Sequence, residues 1–333
     1  MLLYDKHNMK IAECQDGDLA KLALSDKTAK GKERPWRLKK QQSELLSALY
    51  EDIDEKKAYR MSTCADFLKF GIKTDDTKKL KEMWSCRVRL CPMCAWRRSL
   101  KVHRNTVKIL DAMCGDYAYV FLTLTVRNCS AAELADLLDQ MLSAWHRLSK
   151  RKAFLAAVKG WYRGLEVTHN VNPQSPSYDT YHPHFHCLLA VRKGYFTGKE
   201  YLSKDEWTAL WRKSMQLDYD PVVDVRKVTG TTSAAVAEAA KYTVKESDYI
   251  VPQDLELSVA TVRTLDKALE NRRLVAFGGV MKEWHQKLNL DDEVDGDLIH
   301  VDGDETKAEL TDKEMVFAWH TGYSQYFRME RGQ

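Results

Sequence analysis

Apolar residues recur along this chain with two periods, and the elements they predict alternate. Residues 117–126, Tyr-Ala-Tyr-Val-Phe-Leu-Thr-Leu-Thr-Val, are aromatic and β-branched and too short to cross a membrane, which predicts a buried strand. A helix is expected to start at Ser130, because Leu134, Leu137, Leu138, Met141, Leu142 and Trp145 follow at three- and four-residue spacing to about Leu148. Residues 161–168 predict a second strand, the Asn-, Pro- and Ser-rich stretch 170–180 a loop, and 184–191 a third strand returning beside the second as a hairpin. A helix over 204–215, a strand over 222–228 and an Ala-rich helix over about 233–246 complete the order β-α-β-β-α-β-α. That order is ferredoxin-like, an α+β class in which an antiparallel sheet carries helices on one face.

Outside this core the pattern is less periodic. A basic stretch (Lys27, Lys30, Lys32, Arg34, Arg37, Lys39, Lys40) precedes a mixed-charge, helix-like run over 41–59, read as an arm and a helix. No repeat appears, and the acidic, Gly-punctuated stretch 291–305 reads as a linker or loose excursion that closes the main domain. The expected organisation is a basic N-terminal arm and helix at 1–60, a cysteine-bearing basic segment at 61–104, a main domain at 105–290 and an acidic tail at 291–333.

Composition narrows the class. With 44% hydrophobic and 30% charged residues over 333 positions, the chain can bury the core of one large domain or two modest ones. No window approaches the roughly 18 to 20 uncharged apolar residues of a membrane helix, and the start lacks the apolar stretch of a secretory signal, so a cytoplasmic protein with no membrane partner is expected. Residues 291–333 carry twelve acids against four bases, a net −8 that leaves +12 on residues 1–290 of a chain whose total is +4. A basic body suits a phosphate-rich partner, because each Lys or Arg that neutralises a phosphate releases a condensed counterion. Eight cysteines are too sparse for a disulfide scaffold, and three bunch at Cys86, Cys91 and Cys94, which favours a metal over bridges.

Cys64, Cys86, Cys91 and Cys94 have the spacing C-x21-C-x4-C-x2-C, with Pro92 turning the chain between the last two thiols. Such a turn can set both sulfurs about 2.3 Å from one Zn²⁺, and two thiolate pairs on a tetrahedral ion would fold a segment too small to own a core. His103 is the reserve fourth ligand, and the plain alternative is four small buried hydrophobes. Around the cluster, Arg87, Arg89, Arg97, Arg98, Lys101 and Arg104 with Trp84 and Trp96 form a basic stripe with interleaved aromatics. It suits holding a DNA backbone and stacking bases, unless it is a solvated helix face.

The densest chemical signal is His182-Pro183-His184-Phe185-His186. In a strand, residues two apart share a face, so His184 and His186 stand side by side while Phe185 turns to the core. The preceding strand, as hairpin partner, can present Glu166 on the same face and complete a His₂-carboxylate set with coordination left open for substrate. His169 and His182 are weaker candidates, as supporting groups or surface residues. In the Ala-rich helix, Glu238, Tyr242, Lys245, Glu246 and Tyr249 lie three, four or seven apart, which would bring a carboxylate and an ammonium to either side of a phenol. Taken alone, that pattern is more often a solvated face.

In combination these segments resemble the rolling-circle replication initiators of small plasmids, of the HUH endonuclease class and single-tyrosine type. Residues Phe121-Leu122-Thr123-Leu124-Thr125 look like that family's first motif, His182 to Leu189 its metal motif, and Lys241-Tyr242-Thr243-Val244-Lys245 its nucleophile motif; Cys86 to Arg98 look like the cysteine segment ahead of them. The resemblance spans about Cys64 to Leu288 and implies a ferredoxin-like nicking domain, origin-specific cleavage and a covalent 5′-phosphotyrosine. The residue types fit that chemistry. A divalent ion (Mn²⁺ or Mg²⁺) on His184, His186 and Glu166 would orient the scissile phosphate, Tyr242 would attack with Lys245 nearby, and Glu238 would activate water for a second cleavage, with Tyr249 as a two-tyrosine alternative. The chain has no G-x-x-x-x-G-K-[ST], so unwinding is expected from a host helicase or supercoiling, and extension from a host DNA polymerase. A relaxase or single-strand transposase would use the same chemistry, and a non-catalytic zinc DNA-binding regulator would bind without forming an adduct.

Overall fold

The computed structural model describes residues 21–113, 115–229, 249–251, 253–291, 296–302 and 307–329. In chain order these form α1 (Trp36–Tyr50), α2 (Glu55–Ser62), β1 (Phe67–Lys73), β2 (Lys78–Met83), α3 (Pro92–Ala112), β3 (Tyr117–Thr125), α4 (Leu134–Ser149), α5 (Lys152–Ala157), β4 (Val158–His169) and β5 (Tyr181–Arg192). Then follow α6 (Lys204–Met215), β6 (Val223–Lys227), α7 (Leu255–Leu269), β7 (Val275–Gly279), α8 (Val280–Lys287), β8 (Leu310–His320) and β9 (Gln325–Met329). Two compact units result, one from residues 102–296 and one from residues 1–101 with 297–333.

The 102–296 unit holds an antiparallel sheet ordered β6-β3-β5-β4-β7. Its first four strands have the ferredoxin-like arrangement, so the expected α+β class holds, and β7 adds a fifth strand that was not foreseen. Five residues with two glycines are too short to show a period, and the glycine is needed: a Cβ on Gly278 would fall 2.1 Å from Cε2 of Trp161. Alternation along β5 sends Phe185 toward Trp145 of α4 and Trp211 of α6, where the rings meet at 5.9 Å in both cases. The stripe of α4 is buried at Leu134, Leu138, Met141, Trp145 and Leu148. That helix begins four residues later than expected, because Ser130 bonds the Glu133 carboxylate through its N–H (2.9 Å) and hydroxyl (2.7 Å) in a turn of its own. Helices cover the other face as well. There Phe121, Tyr162, Leu188 and Ala190 pack with Val102, Ile109, Leu110 and Met113 at the end of α3 and with Met281 of α8.

In the other unit the sheet order is β2-β1-β8-β9, antiparallel throughout. Residues 310–329, which composition assigned to an acidic tail, therefore supply half of its strands. Only the second half of Leu-Thr-Asp-Lys-Glu-Met-Val-Phe-Ala-Trp-His is apolar, and its register on β1 (Phe70↔Met315) is a long-range pairing that no local period reveals. Lys40 is fully buried in this unit, paired with Asp66 at 2.6 Å and donating to the Ser62 carbonyl at 2.7 Å.

Candidate active site

The histidine strand β5 occupies the centre of its sheet, and the register sets Glu166 of β4 directly opposite His184. On the other side Thr125 pairs with His184 and Thr123 with His186. Pro183 falls one residue beyond the last β3 partner, where β5 has lost one neighbour and a missing N–H costs least. Because these positions share a face, three ligand atoms converge: His186 Nε2 lies 2.8 Å and His184 Nε2 3.4 Å from Glu166 Oε2, and the two Nε2 atoms are 3.1 Å apart. Neighbouring ligands of an octahedral ion with bonds near 2.1 Å stand about 3.0 Å apart, so the set can hold a divalent cation on one face. Each ring is oriented through its other nitrogen. His184 Nδ1 lies 3.2 Å from the His182 carbonyl, which requires a proton there and leaves the Nε2 lone pair for the site; His186 Nδ1 lies 3.4 Å from Thr123 Oγ1. Phe121 stacks on the His186 ring, 5.6 Å between centroids, and Arg226 of β6 lies over Phe121 at 5.2 Å. Burial pushes the Glu166 carboxyl up, but hydrogen bonds and charge from His184 and His186 outweigh it and hold the group well below the usual carboxylate range.

Thr123 and Phe121 were missed as site residues; the alternation of β3 was legible, but its register against β5 was not. His169 is structural: it bridges Asp179 (2.9 Å) and Thr261 (3.3 Å) and stacks on Tyr181 at 4.4 Å. His182 is half-buried, and burial, with the neighbouring His184, lowers its pKa. Tyr249 is 2% exposed, a poor position for a group that must reach a phosphate. Glu238, Tyr242, Lys245 and the whole expected Ala-rich helix lie outside the described residues.

In the other unit the four expected cysteines meet. Sγ of Cys64 lies 3.6 Å from that of Cys94 and 3.7 Å from that of Cys91, and Cys86 Sγ is 3.6 Å from Cys94 Sγ. A tetrahedron of sulfurs about 2.3 Å from one zinc has edges of about 3.8 Å, so the cluster can hold a metal ion, and His103 is not needed in it. Burial opposes ionisation of Cys91, yet hydrogen bonds from Cys64, Cys86, Cys94 and Ser43 prevail and set its thiol well below the ordinary value.

The basic stripe requires correction. Arg97 is fully buried: its guanidinium donates to Asp302 (3.0 Å to each oxygen) and to the Leu298 (2.8 Å) and Ile299 (2.6 Å) carbonyls, and it lies over the Trp36 and Trp96 rings. Arg98 is buried beneath the cysteine loop and donates to the carbonyls of Arg87 (2.9 Å), Val88 (3.4 Å) and Arg89 (3.3 Å). Lys101 and Trp96 are buried too, Arg89 and Arg104 half-buried, and Arg87 exposed. Helical spacing cannot distinguish an arginine that meets phosphate from one that meets a carboxylate more than two hundred residues away.

The family model described as "Replication protein" matches residues 77–327. A "Protein rep" of Bacillus amyloliquefaciens is 38% identical over 333 residues, covering 91% of this chain and 96% of its own. Those of Lactiplantibacillus plantarum (37%; 91% and 98% covered) and Streptococcus pneumoniae serotype 2 (33%; 93% and 96% covered) are similar over nearly the same span. No solved structure matches the chain. The chain belongs to this replication-protein family, the plasmid rolling-circle replication initiators that its motifs resemble. Its role is in plasmid replication, and an initiator binds origin DNA.

Proposed function

We propose that this protein starts rolling-circle replication by nicking one strand of its origin and keeping the broken bond as a 5′-phosphotyrosine. The observation that supports this reading is the convergence of Glu166, His184 and His186 on one point of a central strand pair. A divalent ion, Mn²⁺ or Mg²⁺, bound there would supply a Lewis acid to a non-bridging oxygen of the scissile phosphate. Tyr242 attacks phosphorus through its phenolic oxygen while the bond from phosphorus to the 3′ oxygen breaks. The phenol proton passes to the departing oxygen, with Lys245 as relay, and a 3′-hydroxyl is left for a host polymerase. Glu238 takes a proton from water in the second cleavage, as a single-tyrosine cycle requires. Zn²⁺ on Cys64, Cys86, Cys91 and Cys94 is structural in this reading, since a closed thiolate set offers no open position for substrate. Strand opening in this reading falls to a host helicase or to supercoiling, since the sequence carries no P-loop motif.

A denaturing gel of protein incubated with single-stranded origin DNA and Mn²⁺ tests the reading. The expected result is a covalent complex with the wild type and none with Tyr242→Phe, which keeps the ring and removes one oxygen. An adduct that persists in that variant would take the nucleophile's role from Tyr242, and binding without any adduct would make the protein a non-catalytic regulator.

A further inference from the structure

Trp84 and Tyr59 break the pattern of the other aromatic residues around the cysteine cluster. Trp36, Trp96 and Phe70 pack edge-on in the core, whereas Trp84 is 62% and Tyr59 73% exposed. Among the described residues no other tryptophan is exposed. The backbones that carry the two rings are tied together. The Trp84 carbonyl accepts from the Ala65 N–H at 2.9 Å and from the Cys64 thiol at 3.9 Å, and the Cys86 N–H donates to Cys64 Sγ at 3.5 Å. On the Tyr59 side, the Arg60 guanidinium donates to the Cys86 carbonyl, and the Thr63 N–H and hydroxyl both return to the Tyr59 carbonyl at 3.4 Å.

Charge decides what such a surface fits. Around the two rings the chain carries Lys56, Lys57, Arg60, Arg87 and Arg89. Of the flanking acids, Asp54 caps α2 by accepting from the Lys57 N–H, Asp66 pairs with Lys40 at 2.6 Å and Glu82 with Lys69 at 2.9 Å, which leaves Glu55, one turn before Tyr59, as the exposed acid beside five cations. Arg60 and Arg87 are exposed. Arg87 adopts a left-handed backbone (φ 57°) rare for a side-chain-bearing residue, held there by Arg98 on its carbonyl. A docking site for a folded protein presents a broader apolar patch. Two separate rings among cations, on a frame fixed by four cysteines, suit a chain of unpaired bases, each of which offers a flat face for stacking and a phosphate for a cation.

We propose that Tyr59 and Trp84, with Arg60 and Arg87, form a platform for single-stranded DNA. The proposal rests on the chain's being an origin-binding initiator and not on its nicking chemistry. The test is therefore a binding measurement without cleavage: fluorescence anisotropy of the full chain with labelled oligothymidylate and no added Mn²⁺ or Mg²⁺. Trp84→Ala and Tyr59→Ala should each weaken binding about tenfold, Trp84→Phe should stay near wild type, and removing both Arg60 and Arg87 should flatten the salt dependence. Circular dichroism checks that the frame survives. Tyr59→Ala, at an exposed helix position, and Trp84→Phe, read as loss of the Trp84-specific fluorescence quenching by oligothymidylate, keep the test valid should Trp84→Ala fail to fold. A folded variant lacking both rings that binds oligothymidylate with wild-type affinity and salt dependence would overturn the proposal. So would the same variant losing affinity only for a host replication protein.

Discussion

Asp26 shows how much one side chain's surroundings can change its chemistry. It is 3% exposed, accepts from the Trp36 indole at 2.7 Å and lies 3.4 Å from Arg34 Nε. Its Oδ1 has no hydrogen-bond partner among the described residues. Burial raises its pKa from 3.8 to about 6, against the lowering effects of the Trp36 bond and Arg34. The sign follows from proton counting: between those two values the folded state holds the proton more tightly than the unfolded chain, so this group costs stability as pH rises and none below the unfolded value. Asp26→Asn, which cannot ionise, should therefore gain on the wild type by about 2–3 kcal/mol between about pH 4 and pH 7 in urea titrations. A constant difference across that range would show that Asp26 titrates normally.

At the scale of elements, strand pairing turns separate residue types into a site. Alternation within β5 puts His184 and His186 on one face, and the register against β4 and β3 adds Glu166 on one side and Thr123 on the other. Thr123 does not touch the shared point. Its hydroxyl meets His186 Nδ1 and orients the ring, and by accepting a hydrogen bond from Nδ1 it supports the tautomer that keeps the Nε2 lone pair for the site. Thr123→Val keeps the shape and removes that partner. We expect it to fold as the wild type and to need about tenfold more Mn²⁺ for half-maximal adduct formation, with little loss at saturating Mn²⁺. An unchanged Mn²⁺ dependence would leave the orientation of His186 to the Phe121 stack alone.

At the scale of the whole molecule, two compact units each carry one cluster, and the clusters differ in kind. The cysteine set is closed and fully buried; the Glu166, His184 and His186 set is partly open. Closed thiolate sites couple metal to folding, while an open His₂-carboxylate site exchanges its ion with the buffer. Elemental analysis should therefore find about one zinc per chain while adduct formation still requires added Mn²⁺ or Mg²⁺. Cys91→Ser should lower the melting temperature, and Glu166→Ala should spare folding and abolish cleavage. A zinc-free protein that remains folded and binds DNA would make the cysteines ordinary core residues. Among the described residues, no helix is long and apolar enough to cross a membrane.

Local information is enough for what depends on neighbours in the chain. The period of two in β5 paired His184 with His186, the three- and four-residue spacing of α4 selected its buried stripe, and the three-residue spacing of Cys91 and Cys94 marked them as one cluster, although Pro92 between them opens α3 instead of making the expected separate turn. Only tertiary structure decided the rest, because it depends on residues far apart in the chain. Arg97 has the spacing of a DNA-contacting residue but is consumed by Asp302, and residues 310–329 have the composition of a tail but complete a sheet. Trp84 and Trp96 looked equivalent until one was buried against Trp36 and the other left in solvent. A charge or a ring has no fixed role in a sequence; the partner that reaches it, or fails to, assigns the role.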